Sequence, residues 1–137
     1  MTDDTRLPAI DKELVDEFVL RAHGDFDFVQ RTVEQVPQIV NGARDWGGGD
    51  WETALGAASH MGRRDIALFL IEHGARIDIF AAAMLGERDI VLAMLRAHPE
   101  LADMPGPHGI PLVKHAEVGG EEAKEVLALL THEPAGV

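Results

Sequence analysis

Apolar residues recur at helical spacing in pairs of short segments, and the clearest pair lies in the stretch Thr53 to Ala75, TALGAASHMGRRDIALFLIEHGA. Thr53 can cap a helix, because its hydroxyl accepts from an N–H of the first turn. Ala54 to Met61 is short and rich in small residues, which let a helix approach its neighbours closely. Gly62 breaks that helix by its freedom at positive φ. Asp65 favours the positive end of a second helix. Ile66, Ala67, Leu70 and Ile71 form one stripe of that helix at period 3.6, widened by Leu68 and Phe69. Gly74 stops it as a left-handed residue. The predicted unit is a helix, a tight turn and a second helix. One such unit cannot bury its apolar face alone and needs copies of itself.

The rest of the chain supplies them. Residues 1–10 read as a flexible polar start. Pro8, Asp11 and Glu13 mark a helix start, and Leu14, Val15, Phe18, Val19 and Ala22 follow at helical spacing until His23-Gly24. Asp27, Phe28, Val29, Val33 and Val36 repeat the second pattern. Asp11, Lys12, Glu13, Asp16 and Glu17 give this first unit the polar outer face of a terminal cap. Pro37 to Asp50 is a loop holding three glycines between Trp46 and Trp51. A third pair follows on Ile79, Ala82, Ala83 and Gly86, then Asp89, Ile90, Val91, Met94 and Leu95, ending at His98-Pro99. Glu100 to His108 is a second loop, stiffened by Pro105-Gly106-Pro107. The last pair carries Leu112, Ala116 and Gly119, then Ala123, Val126, Leu127 and Leu130, with Glu121, Glu122 and Glu125 outside. Residues 132–137 read as a flexible end.

Thr53, Leu55, Ala58 and Gly62, then Asp65, Ile66, Leu70, Ile71, Gly74 and Ala75, resemble the ankyrin repeat pattern T-P-L-H-x-A-A-x-x-G followed by E/D-I-V-x-x-L-L-x-x-G-A. Ala54, Gly56 and Ser59 depart from it. Pro111, Leu112, Ala116 and Gly119 match the first half again. The resemblance implies an all-α, ankyrin-like solenoid of about four repeats, at about 11–50, 51–75, 76–108 and 109–131, with little or no strand, and the loop Pro37 to Asp50 is where the family's β-hairpin finger projects. Gly86 and Gly119 lie 33 apart, but Gly62 and Gly86 only 24 apart, against a family period of about 33. The finger between repeats two and three is therefore nearly deleted, and a notch is expected there. Gly56, in the place of the family's histidine, implies a looser turn.

Length and composition fit one globular domain: 137 residues, 46% hydrophobic and 26% charged. The absence of cysteine removes disulfides, thiolate metal sites and thiol nucleophiles. A net charge of −12, from 24 acidic and 12 basic residues, repels phosphate backbones and anionic membranes. The start lacks signal-peptide features and the longest apolar run, Ile79 to Leu85, is too short to span a bilayer. A cytoplasmic protein with neither nucleic-acid nor membrane partner is expected.

Chemical motifs are sparse. His23, His60, His73, His98, His108, His115 and His132 include no H-x-x-x-H pair and no HExxH. His23, His60 and His73 fall near helix ends, where imidazole can bond the last carbonyls. No metal site, cofactor or catalytic residue is expected. Gly47-Gly48-Gly49 lacks the Lys-Ser/Thr of a phosphate cradle. Asp45 and Asp50 form a carboxylate pair too loosely held for acid–base work. Arg63 and Arg64 read as a solvated pair, or as a basic spot for partner register, and Met61, Met84 and Met94 as core filler.

The function this reading supports is a non-catalytic protein-interaction module. Asp45, Trp46, Asp50 and Trp51 on the first finger are the expected contacts, with His108 on the second loop and Lys114 on the last inner helix. Each Trp has a second reading, as a cover for the open ends of helices. The acidic body favours a basic partner. The alternatives are an immunity or inhibitor protein masking a basic site, and a small-ligand or catalytic site in the notch.

Overall fold

Helix hairpins follow one another along the chain in the computed structural model, which describes residues 5–131. The expected frayed residues 1–4 and 132–137 lie outside the described residues, and residues 5–11 are in neither helix nor strand. The first hairpin joins α1 (Lys12–Arg21) to α2 (Phe26–Gln35). A two-stranded antiparallel ribbon follows, β1 (Ala43–Asp45) and β2 (Trp51–Thr53), with Arg44 opposite Glu52. Then come α3 (Ala54–His60) with α4 (Arg64–Glu72), and α5 (Ile79–Leu85) with α6 (Arg88–Ala97). The last hairpin is α7 (Leu112–Val118) with α8 (Lys124–Thr131). The chain is thus mainly helical.

Local sequence explains the helix starts. Asp25, Thr53 and Asp78 each accept a hydrogen bond from the backbone N–H three residues on, at Phe28, Gly56 and Ala81. Gly62 and Gly86 turn the chain between paired helices at φ +67° and +80°. In the last hairpin the left-handed residue is Gly120, at φ +67°, one position beyond the Gly119 that spacing marks.

Helix α3 packs against α1 and α5, and α5 against α7; α2 packs against α4, and α6 against α8. The α3–α5–α7 contacts are lined by the small residues: Ala58, Ala82 and Ala83 are fully buried, as expected. One apolar cluster centres on Phe18, Val29, Leu55, Ile66 and Leu70, a second on Ile79, Val91, Leu112 and Val126. Helix α5 contributes to both, through Ala81 and Met84 to the first and Ile79, Ala82 and Ala83 to the second. Met84 and Met94 fill core space, but Met61 is exposed, and Leu68 stands out of the stripe it was expected to widen.

Two expectations are corrected. Arg63 and Arg64 are not a solvated pair. Arg63 donates back to the Gly24 carbonyl at 2.9 Å and Arg64 forward to the Leu85 carbonyl at 3.0 Å, so each ties its turn to a neighbouring hairpin. The notch is narrowed rather than clear along its length. The finger missing between α4 and α5 leaves space that the Pro105–Gly109 loop crosses. Gly106 lies against the Phe80 ring, Pro107 over Gly56, and His108 reaches Asp50 beside β2. Gly56 thus sits under a neighbouring loop, where a β-carbon would already touch Pro107 Cγ at 3.5 Å.

Candidate functional site

Successive strand residues face opposite ways. On β2 this sends Trp51 outward, 61% exposed, and Glu52 inward, 1% exposed. Glu52 enters a pocket walled by the ends of two adjacent inner helices and by the crossing loop. His23 comes from the turn after α1, His60 is the last residue of α3, and His108 sits in a 3₁₀ turn of the loop (Pro107–Gly109).

The three imidazoles converge on one carboxylate. His60 Nε2 lies 3.0 Å and His23 Nε2 3.4 Å from Glu52 Oε2, and His108 Nε2 lies 3.2 Å from Oε1. The ring centroids are 4.9 Å (His23–His60), 5.3 Å (His60–His108) and 6.1 Å (His23–His108) apart. Trp46 donates its indole N–H to Glu52 Oε1 at 2.9 Å, and the Arg44 guanidinium covers the indole at 3.8 Å. Asp50 accepts from both the backbone N–H and the ring of His108.

The outer nitrogens are held as well. His23 Nδ1 lies 2.9 Å from the Leu20 carbonyl and 3.2 Å from the Val19 carbonyl. His108 Nδ1 lies 2.7 Å from Asp50 Oδ2. His108 is also the non-glycine residue with a left-handed backbone, φ +60°, among the described residues, a conformation that costs energy and persists only where its surroundings fix it.

Electrostatics follow from this geometry. Burial pushes the Glu52 carboxyl up, but hydrogen bonds from His23 and His60 and the charges of His23 and His108 outweigh it, holding it at about 2. The hydrogen bond to Glu52 raises His23 against its own desolvation. The His108 backbone N–H, then its ring, lower Asp50.

Of the residues expected to face a partner, Trp46, Asp50 and His108 therefore turn inward and build this cluster. Asp45 is exposed, its carboxylate accepting from the Gly47 N–H at 2.9 Å in the hairpin turn. With Asp50 bound to His108, the two carboxylates weighed as a pair are each engaged elsewhere. Lys114 stays on the outside of α7, 3.3 Å from Glu117. No local spacing pairs these histidines with a carboxylate, but the fold does: one donor atom from each of His23, Glu52, His60 and His108 lies within 4.8 Å of the others. His73 behaves as expected, 2.8 Å from the Phe69 carbonyl. His23 joins both patterns, carbonyl on one nitrogen and Glu52 on the other. Glu52 was missed because its partners lie on segments far apart in sequence. The available signal was its inward place on a strand beside an outward Trp51.

Beside the cluster an open groove of about 690 Å³ is lined by Gly48, Trp51, Phe80, Pro105, Pro107 and His108. It is bounded on one side by the hairpin tip, where Gly47, Gly48 and Gly49 all have positive φ, and on the other by the crossing loop.

Among known proteins, the chain matches no family model, no curated protein and no solved structure.

Proposed function

We propose that this chain is a non-catalytic protein-interaction domain, an ankyrin-like stack of helix hairpins that docks a basic partner in the groove between the hairpin tip and the Pro105–Gly109 loop. The observation that carries this reading is Trp51. It is 61% exposed at the rim of a groove whose floor includes Phe80 and whose far wall is Pro105 and Pro107. A large exposed aromatic beside a partly apolar groove is the usual anchor of a protein interface. The net charge of −12 steers a basic partner toward it. Asp45, exposed on the same hairpin, adds an acidic contact at the rim. Trp46 belongs to the support beneath, not to the contact surface.

The test is affinity capture from the source cells' lysate with wild-type protein beside Trp51→Ala and Trp46→Phe. Loss of one partner with Trp51→Ala, at an unchanged melting temperature, is the expected outcome. Equal capture by wild type and Trp51→Ala would remove the groove from the interface. Trp46→Phe is expected to lower the melting temperature and to act on capture only through stability.

A further inference from the structure

We infer that His23, His60, His108 and Glu52 form a binding site for one divalent transition-metal ion of the zinc type. His108 also lines the groove, but the ion site does not depend on the docking reading.

A carbonyl oxygen can only accept, so the His23 Nδ1 that faces the Leu20 and Val19 carbonyls carries the hydrogen. The same holds for His108 Nδ1 against the Asp50 carboxylate. In the neutral rings both Nε2 atoms are then unprotonated, and both point at Glu52. A lone pair facing an anionic oxygen at 3.2 to 3.4 Å is repulsive unless something positive lies between. Protons could serve, but they would make cations of rings that stack 27° from parallel with centroids 6.1 Å apart. One divalent ion satisfies the His23 and His108 lone pairs and the carboxylate at once, with His60 Nε2 3.0 Å from the same carboxylate.

Zinc bonds to imidazole nitrogen and carboxylate oxygen at about 2.0–2.2 Å, which sets tetrahedral donor–donor separations of about 3.3 Å. The nitrogen–oxygen separations here are 3.0 and 3.4 Å to Glu52 Oε2 and 3.2 Å to Oε1, and the four donors lie within 4.8 Å of one another. The donor set of three imidazoles and one carboxylate suits zinc and its neighbours. Calcium and magnesium require a cage of oxygens.

Metal-binding histidines donate their other N–H to a carbonyl or carboxylate, and metal-binding carboxylates are themselves hydrogen-bonded. His23 has the Leu20 carbonyl, His108 has Asp50, and Glu52 has the Trp46 indole N–H. The Glu52 side chain is fully buried and those of His60 and His23 are 10% and 22% exposed, while His108, at 29%, closes the cluster on its solvent side. The left-handed backbone of His108 is the strain that aims its ring. Four protein donors would fill the coordination of a tetrahedral ion, as in a structural site rather than a catalytic one with an open position. Such an ion would tie the end of α1, strand β2, the end of α3 and the crossing loop to one point.

The experiment uses the untagged full chain, stripped with chelator. Zn²⁺ is titrated by calorimetry in competition with a chromophoric chelator, and Co²⁺ is followed by its visible absorption. One equivalent is expected, with the intense visible band of tetrahedral Co²⁺ and a raised melting temperature. His108→Gln and His23→Gln, each checked for native circular dichroism, are expected to weaken binding by more than about 100-fold, and Asp50→Asn by about tenfold or more with stoichiometry kept. His98→Gln, on an exposed histidine outside the cluster, is expected to change nothing. Absence of a saturable equivalent in the wild type would overturn the site. So would binding that survives both His23→Gln and His108→Gln, because the ion would then sit elsewhere.

Discussion

His108 holds both oxygens of Asp50 across 58 residues of chain: its backbone N–H donates to Oδ1 at 2.8 Å and its ring to Oδ2 at 2.7 Å. This pair fastens the crossing loop to the hairpin, and through it the last helix hairpin to the middle of the molecule. Asp50→Ala removes both bonds and leaves the loop held by its packing on Phe80 and Gly56 and by the His108 contact with Glu52. In metal-free protein the Gly109 and Ile110 amides should exchange about tenfold faster or more in the variant, while helix α4 amides stay unchanged. Exchange unchanged in the loop would mean that packing and the Glu52 contact suffice to fix it.

Gly86 has φ +80°, and a β-carbon there would lie 2.0 Å from the Glu122 carbonyl oxygen. Both the backbone conformation and the space exclude a side chain. Gly86→Ala should cost about 3 kcal/mol or more in urea unfolding, because backbone must shift. Gly48→Ala shares a positive φ, +64°, but meets nothing within 4 Å; it should cost only about 1–2 kcal/mol. Similar losses at the two positions would show that the turn after α5 can move away from Glu122.

Ala82 is fully buried on the helix that serves both apolar clusters. Leucine there adds three carbons where neighbouring helices already touch. Ala82→Leu should lower stability by about 1–3 kcal/mol through overpacking, read from the urea midpoint. An unchanged midpoint would place slack between α5 and its neighbours.

His115 is fully buried, its Nδ1 3.0 Å from the Pro111 carbonyl and its Nε2 without a partner. Burial lowers its pKa, outweighing the Pro111 hydrogen bond that raises it. A histidine lowered on folding contributes stability that is present above its unfolded value of about 6.5 and lost as pH falls through the folded one. His115→Leu keeps the volume and removes the proton site. Its stability relative to wild type should therefore increase as the pH drops from 7 to 5. Parallel curves for the two proteins would mean that the proton on His115 finds a partner inside.

The local pattern determined most of the helical layout. Thr53 as a cap, Gly62, Gly74 and Gly86 as left-handed stops, and the buried Ala58, Ala82 and Ala83 are written in sequence because each depends on its own backbone conformation or on the stripe of its own helix. The shortened connection between Gly74 and Ile79 was legible for the same reason, as a spacing. What crosses that gap was not. His23, Glu52, His60 and His108 come from four segments, and their meeting depends on adjacent hairpins lying side by side and on the Pro105–Gly109 loop crossing α5. No local spacing encodes that. Trp46 and Trp51 show the same division. The composition of their loop made both candidates for recognition. Only the register of the ribbon, with Trp51 outward and Glu52 inward to receive the Trp46 N–H, decided that one is surface and the other support. Helix and turn are set by short-range sterics and hydrogen bonds, whereas a cluster of donors is set by long-range packing.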